Sequence, residues 1–224
     1  MCGRFTLTDP DAELMTQFDL PNLPPLEPRY NIAPSQPVAV VRLAAGKAAR
    51  ELVLMRWGLI PFWAQDPGIG TRLINARAET VAEKPAFRDA FRRRRCLVVA
   101  DGFYEWQKQD GRKQPFYIRM QDGRPFAFAG LWEQWRGADD VVIESCTLLT
   151  TGANELMQPL HNRMPVILRP QDYGLWLDPI VQQPDLLQAV LLPYPAEEMY
   201  AYPVSRWVNS PDHDDPRCIE PLRE

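Results

Sequence analysis

With 224 residues, 46% hydrophobic and 24% charged, the chain is long enough to bury a core and too apolar to stay disordered. Its net charge of −4 argues against a general nucleic-acid-binding surface, and no stretch approaches the ~18 apolar residues of a membrane span. The start lacks the basic and apolar regions of a signal peptide, so the expectation is a cytoplasmic globular protein.

That charge averages two unequal parts. Residues 1–136 carry 20 Lys+Arg against 15 Asp+Glu, a balance of +5, whereas residues 137–224 carry 5 against 14, a balance of −9. The basic excess is mostly arginine, whose planar fork matches phosphate, so a local phosphate-binding groove is compatible with an acidic whole. The four cysteines (Cys2, Cys96, Cys146, Cys218) are far apart and form no CxxC pair, which reads as free thiols rather than disulfides or zinc ligands.

The chain opens on Met1-Cys2-Gly3-Arg4-Phe5. If Met1 is removed, Cys2 carries an amine and a thiol on adjacent carbons, with ordinary pKa values of about 7.7–8.0 and about 8.5. Such a 1,2-aminothiol can attack an amide as an N-terminal nucleophile. It can also capture an aldehyde, first as a Schiff base and then as a thiazolidine. An irregular start without chemistry is the alternative at this point.

Thr8-Asp9-Pro10 predicts a helix start and a short helix through Phe18. The prolines between Leu20 and Pro28 predict an irregular connection, followed by a polar-aromatic loop, Arg29-Tyr30-Asn31-Ile32-Ala33-Pro34. Val38–Leu43 and Leu52–Trp57 read as a hairpin joined by Ala44-Ala45-Gly46-Lys47. An aromatic, proline-rich run, Trp57 to Trp63, leads to a polar turn over Gln65–Gly70. Leu73–Glu79 alternates in the strand manner, with Asn75, Arg77 and Glu79 on one face. Pro85–Arg94 predicts a helix whose Arg92–Arg95 run suits a solvated C-terminus.

Cys96–Ala100 predicts a buried strand continuing through Asp101-Gly102-Phe103-Tyr104-Glu105-Trp106. Strands follow at Pro115–Met120, Phe126–Trp132 and Val141–Thr150, with turns at Gln109-Asp110-Gly111 and Gln121-Asp122-Gly123. Pro159 to Pro165 leads into Val166–Leu168, short helices lie near 172–177 and 185–190, and Tyr202–Val208 is a last strand-like run. Without repeats or linkers, this pattern predicts one α+β domain over 1–208 and an acidic C-terminal tail over 209–224.

Polar residues inside apolar strands are the informative ones. Asn75, between Ile74 and Ala76, needs hydrogen-bond partners or costs ~1–3 kcal/mol. Glu105, between Tyr104 and Trp106, has the setting in which desolvation tunes a general acid/base; a solvent-facing glutamate is the alternative. His161 lies in a polar loop at a strand start, where catalytic side chains are common, while His213 sits among aspartates and reads as solvated. Neither histidine has a second ligand at metal spacing. Arg4 and Arg77 suit phosphates or ordinary ion pairs.

Met1-Cys2-Gly3-Arg4-Phe5, Arg29 to Pro34, Trp57-Gly58-Leu59-Ile60-Pro61, Ile74-Asn75-Ala76-Arg77-Ala78-Glu79, Asp101 to Trp106 and His161-Asn162-Arg163-Met164-Pro165 occur in an order that resembles the SOS-response-associated peptidase (SRAP) family of abasic-site processing proteins. The resemblance implies a mostly antiparallel β-barrel-like core with a few short helices and a basic groove for single-stranded DNA. It implies that Met1 is removed, by self-cleavage or by an aminopeptidase, and that Cys2 then forms a thiazolidine crosslink with the aldehyde of an abasic site. Carried over by position, Asn75 would orient the amine and the sugar, Glu105 would act as acid/base, and His161 would assist ring opening and proton transfer. Arg4, Arg77 and Arg163 would hold phosphates, with Thr150 as a further groove contact. Pro61, Phe62 and Trp63 would form a wedge at a single-strand/duplex junction. No cofactor or metal is implied, and the expected partner is abasic single-stranded DNA, bound by a monomer in the cytoplasm or nucleoid without a membrane.

Two other classes stay open. One is an N-terminal-nucleophile amidohydrolase, which also begins Met-Cys-Gly, although Arg4 beside the nucleophile suits a phosphate better than an amide. The other is a non-covalent binder of modified DNA.

Overall fold

The computed structural model describes residues 2–9, 12–44, 46, 49–109 and 111–222. Met1, Pro10, Ala45, Lys47, Asp110, Arg223 and Glu224, which figure in the readings above, lie outside them. In chain order the strands are β1 (Phe5–Leu7), β2 (Arg29–Ile32), β3 (Pro37–Leu43), β4 (Arg50–Trp57), β5 (Asn75–Arg77), β6 (Arg95–Ala100), β7 (Gly102–Gln109) and β8 (Arg112–Met120). They continue with β9 (Phe126–Arg136), β10 (Val142–Gly152), β11 (Arg163–Pro165), β12 (Ile167–Leu168) and β13 (Met199–Pro203). The α-helices are short: α1 (Ala12–Phe18), α2 (Arg88–Arg93), α3 (Tyr173–Leu177) and α4 (Pro184–Gln188).

The Val/Ile/Leu-rich runs close on themselves. β10 pairs with β4, β4 with β3, β3 with β6, β6 with β9, and β9 returns to β10, so five strands form a barrel. A closed ring leaves no unpaired edge along those strands. The barrel is antiparallel except where β10 runs alongside β4. β6 is buried along its whole length and β3, β9 and β10 over most of theirs, which explains their continuous hydrophobicity, whereas β4 alternates. A second, five-stranded sheet runs β13-β8-β7-β1-β2. Phe5 of β1 joins the two layers, with its ring 5.0 Å from Trp57 and 5.6 Å from Phe128. This is the expected α+β domain with a barrel core and few helices.

Several elements differ from their sequence reading. The Cys96–Trp106 run is not one strand: β6 belongs to the barrel and β7 to the second sheet. Asp101 marks the corner, its carboxylate accepting from Thr6 Oγ1 (2.5 Å), Thr8 N (2.5 Å), Thr8 Oγ1 (2.7 Å) and Asp9 N (3.2 Å). Those bonds tie the turn to the first strand, and a local hydrophobic pattern carries no sign of them.

The arginine run is not a solvated helix end throughout. Arg95 is buried, and its guanidinium donates to the carbonyls of Trp176 (2.6 Å), Phe91 (2.8 Å), Arg92 (2.7 Å), Val181 (2.9 Å) and Asp178. Burial lowers its pKa to about 10, and the cation persists because carbonyl dipoles replace the water it loses. The loop at 29–34 contains β2, and the 73–79 alternation is a strand only over β5, with a 3-10 turn at Ala78–Thr80.

Residues 209–222 pack back onto β2. Asp214 accepts from Tyr30 N (2.5 Å), Asn31 N (2.9 Å) and Arg29 Nε. His213, read as solvated, stacks on Trp207 with ring centroids 3.4 Å apart, and its Nδ1 lies 2.7 Å from the Trp207 carbonyl. No helix among the described residues is long and apolar enough to cross a membrane.

Candidate active site

The N-terminal strand places the cysteine. β1 pairs antiparallel with β7, Phe5 opposite Phe103 and Thr6 opposite Gly102, and Tyr104 N donates to the Arg4 carbonyl at 3.0 Å. Continued outward, the register sets Gly3 opposite Glu105, so Cys2 arrives beside that carboxylate. Cys2 is fully buried, with its thiol donating to the Arg4 carbonyl at 3.7 Å. Burial pushes the thiol far above its ordinary pKa, and the negative charge of Glu105 pushes it the same way. The thiol is therefore neutral at physiological pH. Glu105 itself is 3% exposed, so the solvent-facing alternative is excluded.

The second side of the site comes from β5 and β10. β5 pairs parallel with β10, Leu148 opposite Asn75 and Thr150 opposite Arg77. Asn75 Nδ2 donates to the Cys2 carbonyl at 2.9 Å, which holds the backbone that carries the nucleophile. Asn75 Oδ1 is buried and accepts from no described group. An acceptor in that state invites a donor, since leaving it unmade costs free energy.

One strand further, β11 pairs with β10, Gly152 opposite Arg163. Arg163 grips Glu79 with both terminal nitrogens, at 2.5 and 2.9 Å, and also donates to the Thr150 carbonyl (2.6 Å) and Thr150 Oγ1 (3.3 Å). These bonds hold the Glu79 carboxyl below the usual range. Arg163 N donates to His161 Nδ1 at 3.0 Å, so the proton of the neutral ring sits on Nε2. Gln107, two residues along β7 from Glu105 and on the same face, donates to the Pro159 carbonyl at 3.1 Å and ties the His161 loop to that strand. The Arg77 side chain is exposed and forms no hydrogen bond or ion pair with a described residue, although its charge also lowers the Glu79 pKa.

Arg4 is already engaged. Its guanidinium donates to Asn31 Oδ1 (2.8 Å), the Val208 carbonyl (3.0 Å) and the Asn209 carbonyl (3.3 Å), and burial lowers its pKa. Asn31, fully buried, donates in turn to the carbonyls of Val208 (3.1 Å), Ser210 (2.9 Å) and His213 (2.7 Å). Sequence reasoning left Asn31 without a role. An amide inside a dense polar-aromatic segment was the signal available.

The aromatic loop lies at the other end of β5. Pro61 is buried, whereas Phe62 is 54% and Trp63 50% exposed. The loop is pinned by Ile60 N to Ser145 Oγ (2.8 Å), Leu59 N to the Leu73 carbonyl (3.1 Å) and Trp135 Nε1 to the Ala64 carbonyl (2.7 Å). Gly58 turns it at φ +121°, where a Cβ would lie 2.6 Å from the Gly70 carbonyl oxygen; only glycine fits.

Cys2, Asn75 and Glu105 thus converge, with Thr150 and Arg163 on the adjoining strands, His161 in the loop that enters β11, and Arg77 exposed beside them. Arg4 braces the strand that carries the nucleophile, and Phe62 and Trp63 form a solvent-facing ridge on the buried Pro61. A buried thiol next to a buried carboxylate, on a backbone fixed by an amide, can pass a proton between thiol and carboxylate without bulk water.

The family model described as SOS response associated peptidase (SRAP) matches residues 1–211. The abasic site processing protein YoqW of Bacillus subtilis is 45% identical over 224 residues, covering 98% of this chain and 99% of its own. The abasic site processing protein YedK of Escherichia coli is 29% identical, covering 99% and 100%. A crystal structure of a protein from Bacteroides thetaiotaomicron superposes with a TM-score of 0.89 at 25% identity, covering 99% of this chain and 100% of that one.

Proposed function

The chain belongs to the SOS response associated peptidase (SRAP) family, and on that premise we propose that it processes abasic sites in single-stranded DNA by covalent capture through Cys2. Hydrolysis of the Met1–Cys2 amide consumes one water, releases methionine and frees the Cys2 amine. That amine adds to the aldehyde carbon of the ring-opened abasic sugar. Glu105 relays a proton to the departing hydroxyl, and water leaves as the protonated imine forms. The thiol then adds to the imine carbon, and its proton passes to the Glu105 carboxylate. The sum is aldehyde plus aminothiol giving thiazolidine plus one water.

The neutral thiol supports this order of events, because a cysteine held protonated leaves the first attack to nitrogen. Asn75 fixes the Cys2 carbonyl and offers Oδ1 to the new amine or to a sugar hydroxyl. His161, its proton on Nε2, donates to the sugar oxygen during ring opening. Arg77 takes a flanking phosphate directly. Arg163 reaches one by exchanging Glu79 for it, and Arg4 supports the strand that carries Cys2 from its carbonyl cradle. Thr150, fully buried, acts from behind by holding Arg163 in place, and Phe62 and Trp63, carried on the buried Pro61, part the strand from any duplex.

The observation that carries this reading is the burial of Cys2 between the Glu105 carboxylate and the Asn75 amide. Intact mass spectrometry tests it, before and after incubation with a single-stranded oligonucleotide bearing one abasic site. Loss of Met1 and a gain equal to the oligonucleotide minus one water is the expected result, abolished in Cys2→Ala. Met1 removal without an adduct would shift the reading to an amidohydrolase, and an adduct that survives in Cys2→Ala would end the covalent mechanism.

A further inference from the structure

A groove of about 560 Å³ opens beside the aromatic ridge and, apart from Phe62, is lined by residues not assigned above. Its lining includes Phe62 of the ridge, Arg92 and Arg93 of α2, and Trp132 and Glu133 of β9. Arg92 and Arg93 are exposed, and neither side chain forms an ion pair with a described residue. Of the two acids in the groove, one is fully occupied and the other is a half-exposed aspartate. Glu133 is 3% exposed and held by Arg94 at 2.5 Å, and Asp89 has Arg88 4.0 Å away. Two unspent guanidinium groups lining one groove with a half-exposed aromatic ring make a surface that suits phosphates spaced along a strand with a base between them.

The groove is one short segment from the nucleophile. Leu59, three residues before Phe62, donates to the Leu73 carbonyl, and Asn75, two residues further on, holds Cys2. We propose that this groove binds nucleotides flanking the captured one, with Arg92 and Arg93 on their phosphates and Phe62 stacked on a base. The inference rests on the proposed action on DNA and adds a second contact region to it. The local arginine excess of the first 136 residues then has a place in the fold that net charge conceals.

Binding of oligonucleotides carrying a central tetrahydrofuran, an abasic analogue without an aldehyde, tests this by fluorescence anisotropy. The lengths compared are about 6 and about 20 nucleotides, below and above a single-strand site. The wild-type protein is expected to bind the long strand at least about 10-fold tighter. Arg92→Gln/Arg93→Gln should remove most of that gain, leave the short strand within about 2-fold, and lower the salt slope by about 1.4, two single-strand phosphates at about 0.7 each. Phe62→Ala should weaken the long strand by about 5-fold or more. Wild-type affinity of the double variant for the long strand would overturn the proposal, as would displacement of that strand by oligoglutamate of equal charge. Crosslinking of a reactive abasic 6-mer by wild type and double variant runs in parallel. Its failure would count against Cys2 chemistry while the tetrahydrofuran series still judges the groove.

Discussion

Replacing Asn31 by alanine is expected to destabilise the fold by about 3 kcal/mol and to slow capture at Cys2. The side chain is fully buried, and its amide spreads two N–H groups over three carbonyls, of Val208, Ser210 and His213. Counting two neutral bonds at about 1 kcal/mol and one charge-assisted bond from Arg4 at about 1.5–3 kcal/mol gives about 3.5–5 kcal/mol. Part of this is recovered, because Arg4 keeps the Val208 and Asn209 carbonyls and Ser210 O still accepts from His213 N. That leaves about 3 kcal/mol, or a melting temperature lower by about 6–12 °C for a chain of this size. Urea unfolding followed by tryptophan fluorescence measures it, with an unchanged m-value showing that the native and unfolded states are otherwise the same. A loss below about 1 kcal/mol would refute the reasoning, since three buried carbonyls and a guanidinium would then be indifferent to their shared partner.

Two further outcomes follow from the charges around the nucleophile. Glu79 has a folded pKa below its ordinary value of about 4.3, so the unfolded chain binds more protons in that range and the stabilisation by Arg163 is present above it and lost as pH falls. The stability difference between wild type and Glu79→Gln should hold steady from about pH 7 to 5 and close below about pH 4; an equal difference at pH 3 would contradict the pairing. Glu105→Gln removes the negative charge that raises the Cys2 thiol, so iodoacetamide labelling of Cys2 at alkaline pH, read by intact mass, should accelerate. The same variant should flatten one limb of the crosslinking pH profile, and an unchanged profile would take Glu105 out of the chemistry.

Much of the barrel was legible because β3, β4, β6, β9 and β10 are long or uniformly apolar, and such runs have few other uses. What escaped was set by distant contacts. β1 and β2 have three and four residues and carry polar side chains, so only their pairing across β7 and with each other makes them strands. The break at Asp101 depends on Thr6 and Thr8, more than ninety residues earlier. Arg95 is indistinguishable in sequence from Arg92 and Arg93, and only the carbonyls of Trp176, Asp178 and Val181 make it a core residue. In the site, the unusual settings of Cys2, Asn75 and Glu105 stood out locally, while the grip of Arg163 on Glu79 spans 84 residues and no local pattern predicts it.

The clamp between the two ends of the chain also sets a schedule. A ribosome makes Arg4 and Asn31 early, yet the carbonyls that hold them belong to Val208, Asn209, Ser210 and His213, and the carboxylate that caps their strand is Asp214. A nascent chain therefore presents its cysteine long before the support behind it can close. Chains truncated ahead of residue 208 lack that support entirely, so the brace behind Cys2 closes only once synthesis has passed residue 214.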